Sequence, residues 1–192
     1  MNQSDLLQKL IQLQKDNSSS FAQIKEQLSV IKQKKNIHYI SYFTYSLNIS
    51  HSAGQESLCM GSYHILNLGK LPLTNPYICI KTTPDSPFHF SGKYVYKNSK
   101  HKMNIAGAWE RLNDPKDKEE FWLQPLTRKV IQPNETLSFS NFQLKWTPEK
   151  SYAGGLLGFS YCDECKEGIT AINQVNLNGN TPDGEGGTNE QL

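Results

Sequence analysis

Long apolar runs are missing from this 192-residue chain. No stretch approaches the roughly 20 consecutive apolar residues that span a bilayer, so no membrane-crossing helix is expected. A dominant charge is missing as well. The net charge is +2, and acidic and basic residues are mixed through the middle of the chain, where a phosphate-binding surface would cluster Lys and Arg. Nucleic acid is therefore not an expected partner. No P-loop, G-x-G-x-x-G fingerprint or G-x-S-x-G elbow occurs, so no cofactor and no catalytic residue is implied, and no enzyme is expected. The opening residues Met1 to Asp5 carry no basic side chain, and the leucines after them are broken by Gln and Lys, unlike a secretory leader. Cytoplasmic synthesis is expected, and in that setting disulfides are the minority outcome for the four cysteines, Cys59, Cys79, Cys162 and Cys165.

What is present is an abrupt switch of hydrophobic period near residue 36. Before it, Leu7, Gln14, Phe21 and Leu28 occupy one heptad position, and Leu10, Asn17, Ile24 and Ile31 another. Ser4 beside Asp5 offers a helix N-cap, and the helix is expected to run to about Lys35. A heptad stripe on so short a helix needs another helix to bury against, and a second copy of the chain is the expected partner. Gln14 and Asn17 are amides inside the seam, a pattern that sacrifices stability to fix register. Asn17-Ser18-Ser19-Ser20 is the poorest helix-forming stretch and could divide the helix into a hairpin. Docking of the helix on its own β domain is a further alternative.

After residue 36, Ile37, Tyr39, Phe43, Tyr45, Leu47 and Ile49 fall on every second residue, as a strand requires. Leu58–Leu68 reads as a second strand. Tyr77-Ile78-Cys79-Ile80 is apolar on both faces and reads as central. Phe88–Tyr96 alternates, with Phe88, Phe90, Tyr94 and Tyr96 on one side, and reads as a strand. Leu137 and Phe139 alternate, then Phe142, Leu144 and Trp146 do so in the opposite phase, which one extra residue at Ser140-Asn141 would reconcile as a β-bulge. The expected architecture is mainly β: an antiparallel β-sandwich or jelly-roll-like domain over residues 37–178, preceded by a helical coiled-coil segment over 1–36. A disordered, acidic, Gly-rich tail over 179–192 follows.

Two constellations could carry chemistry. Cys162-Asp163-Glu164-Cys165 has the spacing of half a zinc knuckle, with Cys59 and Cys79 as distant complements. The plainer expectation is a hairpin whose turn is Asp163-Glu164, with Cys59 and Cys79 in the core. Among the aromatics, Trp109, Trp122, Tyr94 and Tyr96 are candidates for a ligand-stacking platform, against the ordinary demand of a β core for large rings. The expected function is non-enzymatic. The chain would oligomerise through its helix and bind a protein partner through its β domain, as a structural, assembly or adaptor protein in a phage particle or a spore coat. Helix, β domain and loose tail together resemble the organisation of fibres and virion components, an analogy of architecture alone. The alternative is a carbohydrate- or small-ligand-binding sandwich, to which the stalk adds avidity.

Overall fold

The computed structural model describes residues 11–16, 18–26, 38–50, 54–96, 107–147 and 151–180. The chain forms two units, Met1–His38 and Tyr39–Leu192. Leu7, Leu10, Asn17, Leu28 and Ile31 of the heptad, and the tail from residue 181, lie outside the described residues.

In the first unit, residues 11–16 and 18–26 are helical. The serines expected to weaken the helix are accommodated by bonding backwards: Ser18 Oγ donates to the Gln14 carbonyl at 2.8 Å and Ser20 Oγ to that of Asp16 at 2.9 Å. Phe21 is 72 % exposed and Ile24 51 %. No helix among the described residues is long and apolar enough to cross a membrane.

The second unit is mainly β, with thirteen strands among the described residues. One sheet has the order β1 (Tyr39–Asn48), β2 (Ser57–Asn67), β10 (Thr136–Trp146), β5 (His89–Ser91). The larger has the order β12 (Cys165–Thr170), β11 (Tyr152–Cys162), β4 (Tyr77–Thr82), β8 (Glu120–Pro125), β7 (Trp109–Arg111), β6 (Tyr94–Tyr96), and β13 (Val175–Gly179) also pairs with β11. β3 (Leu73–Thr74) and β9 (Val130–Ile131) form a small third sheet. Among the described residues, every pairing is antiparallel except β6 with β7.

The inner faces of the two large sheets meet through rings. Phe90 of β5 packs on Phe121 of β8 with centroids 4.5 Å apart, and Trp109 of β7 meets Phe139 of β10 edge-on at 5.5 Å. Tyr63 of β2 reaches across to Ser160 of β11, its hydroxyl 2.8 Å from the serine Oγ, while Tyr39 donates to the Ser160 carbonyl at 3.1 Å. These bonds satisfy two phenols that burial would otherwise leave stranded. Small residues make room for them. A Cβ on Gly158 would lie 2.2 Å from the Tyr63 ring, and one on Gly61 2.6 Å from Phe142.

β4 is central, flanked by β11 and β8, as its two apolar faces require. The phase change in β10 is a bulge: the register against β2 shifts between Phe139 and Phe142, and Asn141 adopts a left-handed φ of 59°. The segment 88–96 corrects the expectation of one strand. It breaks into β5 in one sheet and β6 in the other. Gly92 sits at the crossing, where any Cβ would lie 2.4 Å from the Phe139 ring.

One edge is sealed by a side chain. Between β12 and β13 the chain leaves β11 and reaches β1, where Ile172 N–H donates to the Ser41 carbonyl at 2.8 Å. The Asn173 amide then brackets Phe43, accepting from its N–H at 2.7 Å and donating to its C=O at 2.9 Å.

Candidate functional site

The outer face of the larger sheet carries side chains that a solvated face does not need. In β4, period two puts Tyr77, Cys79 and Lys81 outward and Ile78 and Ile80 into the core. Register then aligns Phe159 and Tyr161 of β11 on one side and Glu120, Trp122 and Gln124 of β8 on the other. Tyr77 and Tyr161 are directly opposite and stack at 4.9 Å with 7° between ring planes. Trp122 lies 5.4 Å from Tyr161 and 6.3 Å from Tyr77, tilted by 32° and 36°. The three rings are half-exposed. Cys79, opposite both Phe159 and Trp122, is 0 % exposed although it points outward, because larger neighbours roof it. Burial, with the nearby Glu120 charge, pushes its thiol up to about 12.

A fixed ion pair borders the rings. Lys81 Nζ is 2.6 Å from Glu120 Oε1, and the other oxygen, Oε2, accepts from Trp122 Nε1 at 2.8 Å. Lys81 Nζ also lies 5.7 Å from the Phe159 ring centroid, over its face. The hydrogen bond from Lys81, then that from Trp122, holds the Glu120 carboxyl below its usual range, and the same Glu120 contact raises Lys81. A surface ion pair stabilises a fold by about 0–1 kcal/mol. Its larger consequence here is orientation: the carboxylate ties the indole to a fixed attitude.

The four aromatics singled out in the sequence do not share one surface. Trp109 is 2 % exposed and packs on Phe139, so it belongs to the core. Tyr94 borders the core, 6.4 Å from Phe121 and beneath the guanidinium of the buried Arg111. Tyr96 is 42 % exposed on the edge strand β6, in edge contact with Tyr94. Trp122 alone of the four joins the outer cluster. Tyr77, Phe159, Tyr161, Lys81 and Glu120 were missed. Leu157, Phe159 and Tyr161 did show strand alternation, but the aromatics of that row face outward, and nothing in a single strand says which face is the core.

Cys162 and Cys165 pair across the Asp163-Glu164 turn, as expected, and all four thiols are free. The turn's carboxylates are committed to the loop beside them: Glu164 accepts from Thr74 N–H at 2.8 Å and Thr74 Oγ1 at 2.6 Å, and Asp163 from Asn75 Nδ2 at 2.6 Å. Among the described residues, no group of three or more His, Cys, Asp or Glu side chains is placed to hold a metal ion. His64, on the outer face of the smaller sheet, bridges two hydroxyls, with Nδ1 2.8 Å from Ser138 Oγ and Nε2 2.9 Å from Thr44 Oγ1.

No protein-family model matches the chain, and no curated protein matches its sequence. Solved structures give distant likenesses. The cohesin module of a family 33 glycoside hydrolase from Clostridium perfringens aligns over 74 % of this chain and 97 % of its own length, at 10 % identity and a TM-score of 0.39. A GH20 exo-β-N-acetylglucosaminidase from Vibrio harveyi, solved with N-acetylglucosamine, aligns over 69 % of this chain at 13 % identity and a TM-score of 0.32. This chain spans only 17 % of that enzyme's length. Likenesses this slight carry no argument about function.

Proposed function

We propose that the Tyr39–Gly179 region is a carbohydrate-binding module of β-sandwich, jelly-roll-like type, and that the outer face of its larger sheet is the binding surface. One observation carries the reading: Tyr77, Tyr161 and Trp122 stay half-exposed as a single ring cluster while a fixed Lys81–Glu120 pair stands beside them. A pyranose has an apolar face of C–H groups and a rim of hydroxyls. Aromatic rings take the first, and a carboxylate with an ammonium takes the second, accepting and donating at once. A nucleic acid would want a basic surface, and this border is neutral overall. The module is non-enzymatic in this reading, and its helix gathers copies so that weak single sites act together.

The test is a titration of the full chain against a panel of soluble oligosaccharides, followed by tryptophan fluorescence and calorimetry. At least one glycan should perturb the emission, and Trp122→Ala should weaken that binding about tenfold or more, a loss of about 1.4 kcal/mol. Trp109→Phe should leave affinity unchanged. A panel that perturbs nothing, or binding indifferent to Trp122→Ala in a folded variant, overturns the reading.

A further inference from the structure

The free part of the β1 edge specifies its own partner. At Phe43 the backbone N–H and C=O point away from β2, since the Asn173 amide takes both. Backbone groups alternate sides along a strand, so Tyr45 and Leu47 also direct theirs outward. Among the described residues no hydrogen-bond partner meets them. The side chains above this edge are apolar and uncovered: Tyr45 is 41 % exposed, Leu47 43 % and Ile49 37 %. Thr44, Ser46, Asn48 and Ser50 occupy the alternate positions. Unmet donors and acceptors at that spacing fit an extended backbone with an apolar residue at every second position.

The row is complementary to itself. Set antiparallel about Leu47, a second β1 pairs Leu47 with its twin, Tyr45 with Ile49, and Ser46 with Asn48, so apolar meets apolar and polar meets polar. The pairing has a natural limit. Asn173 closes the edge at Phe43, so the free stretch begins beyond it. Exposed strand edges are ordinarily guarded by Lys, Pro or inward charge. From Tyr39 to Ser50 there is no charged residue, no Pro and no Gly, in a chain that is 20 % charged. We propose that Tyr45–Ile49 pairs with the same segment of a second copy of this chain about a dyad at Leu47, joining two four-stranded sheets into one of eight.

The full chain carrying Leu47→Cys tests this. Residues exchanging both bonds across a dyad have Cα atoms about 5.5 Å apart, within reach of a disulfide. With oxidised glutathione as oxidant, two introduced thiols form one inter-chain disulfide and release two molecules of glutathione. Leu157→Cys is the control, equally exposed at 43 % but on the other sheet. The Leu47→Cys dimer, identified by its linked peptide, should form at least about tenfold faster, as proximity raises effective concentration. In the unmodified chain, the amides of Tyr45 and Leu47 should gain hydrogen-exchange protection as protein concentration rises. Equal cross-linking rates, or amides open at every concentration, overturn the proposal. Association through the helix alone gives that result, and so does an edge reserved for a strand from another protein. Neither outcome bears on glycan binding, which is read separately.

Discussion

Glu120 decides how Trp122 stands. Both of its oxygens are committed, one to Lys81 and one to the indole N–H, so the ring cannot turn freely toward or away from solvent. Glu120→Gln is therefore expected to weaken glycan binding several-fold while leaving the melting temperature within about 1–2 °C, since the pair itself stabilises little. Calorimetry beside a thermal melt separates the two effects, and a variant that binds normally refutes the orienting role. Acid should act first elsewhere. Burial lowers the His64 pKa from its ordinary 6.5. Below pH 6.5 the unfolded chain then takes up more protons at this residue than the folded chain, so stability falls as pH falls. Glu120, also lowered, adds to the fall only further down, through the carboxylate range. Melting temperature should therefore begin to drop below pH 6.5, and His64→Gln should remove that first decline. A flat profile down to the carboxylate range in the unmodified chain would contradict the assignment. The thiols give a third measurement. Burial pushes Cys59 up to about 11 and Cys79 and Cys162 up to about 12, whereas Cys165 is half-exposed. The thiolate is the reacting form, so a disulfide reagent at mildly alkaline pH should modify Cys165 first and the others only on unfolding.

At the scale of elements, β11 holds the sheets together by being small on one side and aromatic on the other. Its inner face offers Gly158 and Ser160 to the rings of Tyr63 and Tyr39, and its outer face offers Phe159 and Tyr161 to the candidate site. Gly158→Ala should destabilise the domain by about 1–3 kcal/mol, the usual range for overpacking, because its Cβ meets Tyr63. Gly54→Ala meets nothing within 4 Å and bears only the strain of a φ of 78°. Denaturant unfolding should rank Gly158→Ala as the more damaging, and the reverse order would mean that Tyr63 relaxes freely. The same strand shows why the site was hard to read in advance. Alternation was visible at Leu157, Phe159 and Tyr161, but the core side of the strand was carried by glycine and serine, whose partners come from strands 97 and 121 residues away. Where pattern alone decides, the reading succeeded: β4 is central because both faces are apolar, and the β10 bulge falls where the phase changes. It failed at Gly92, because a crossing between sheets leaves the apolar alternation of residues 88–96 intact. At Trp109 the sequence left core and platform both open, because a tryptophan's burial depends on which sheet lies opposite.

For the whole molecule, the apolar side chains of the helix come first. Isolated short helices are marginal in water, so the helical residues 11–16 and 18–26, with Phe21 and Ile24 exposed, call for a packing partner. We propose a second copy, which would leave the molecule two independent self-association surfaces, the helix seam and the β1 edge. Their contributions separate by substitution. Phe21→Asp with Ile24→Asp places charge on the heptad positions, and Leu47→Lys places it on the edge, while neither alters a residue of the ring cluster. Light scattering should show a multimer for the unmodified chain, a smaller species for either variant and a monomer for both together. Binding of a single soluble sugar should be the same in all four. Retention on a glycan-coated surface should fall by about a hundredfold in the monomer, because linked weak sites gain at least that much from effective concentration. If the unmodified chain is already a monomer at micromolar concentration, the helix serves no second copy and the avidity disappears, while the site on the larger sheet keeps its own test.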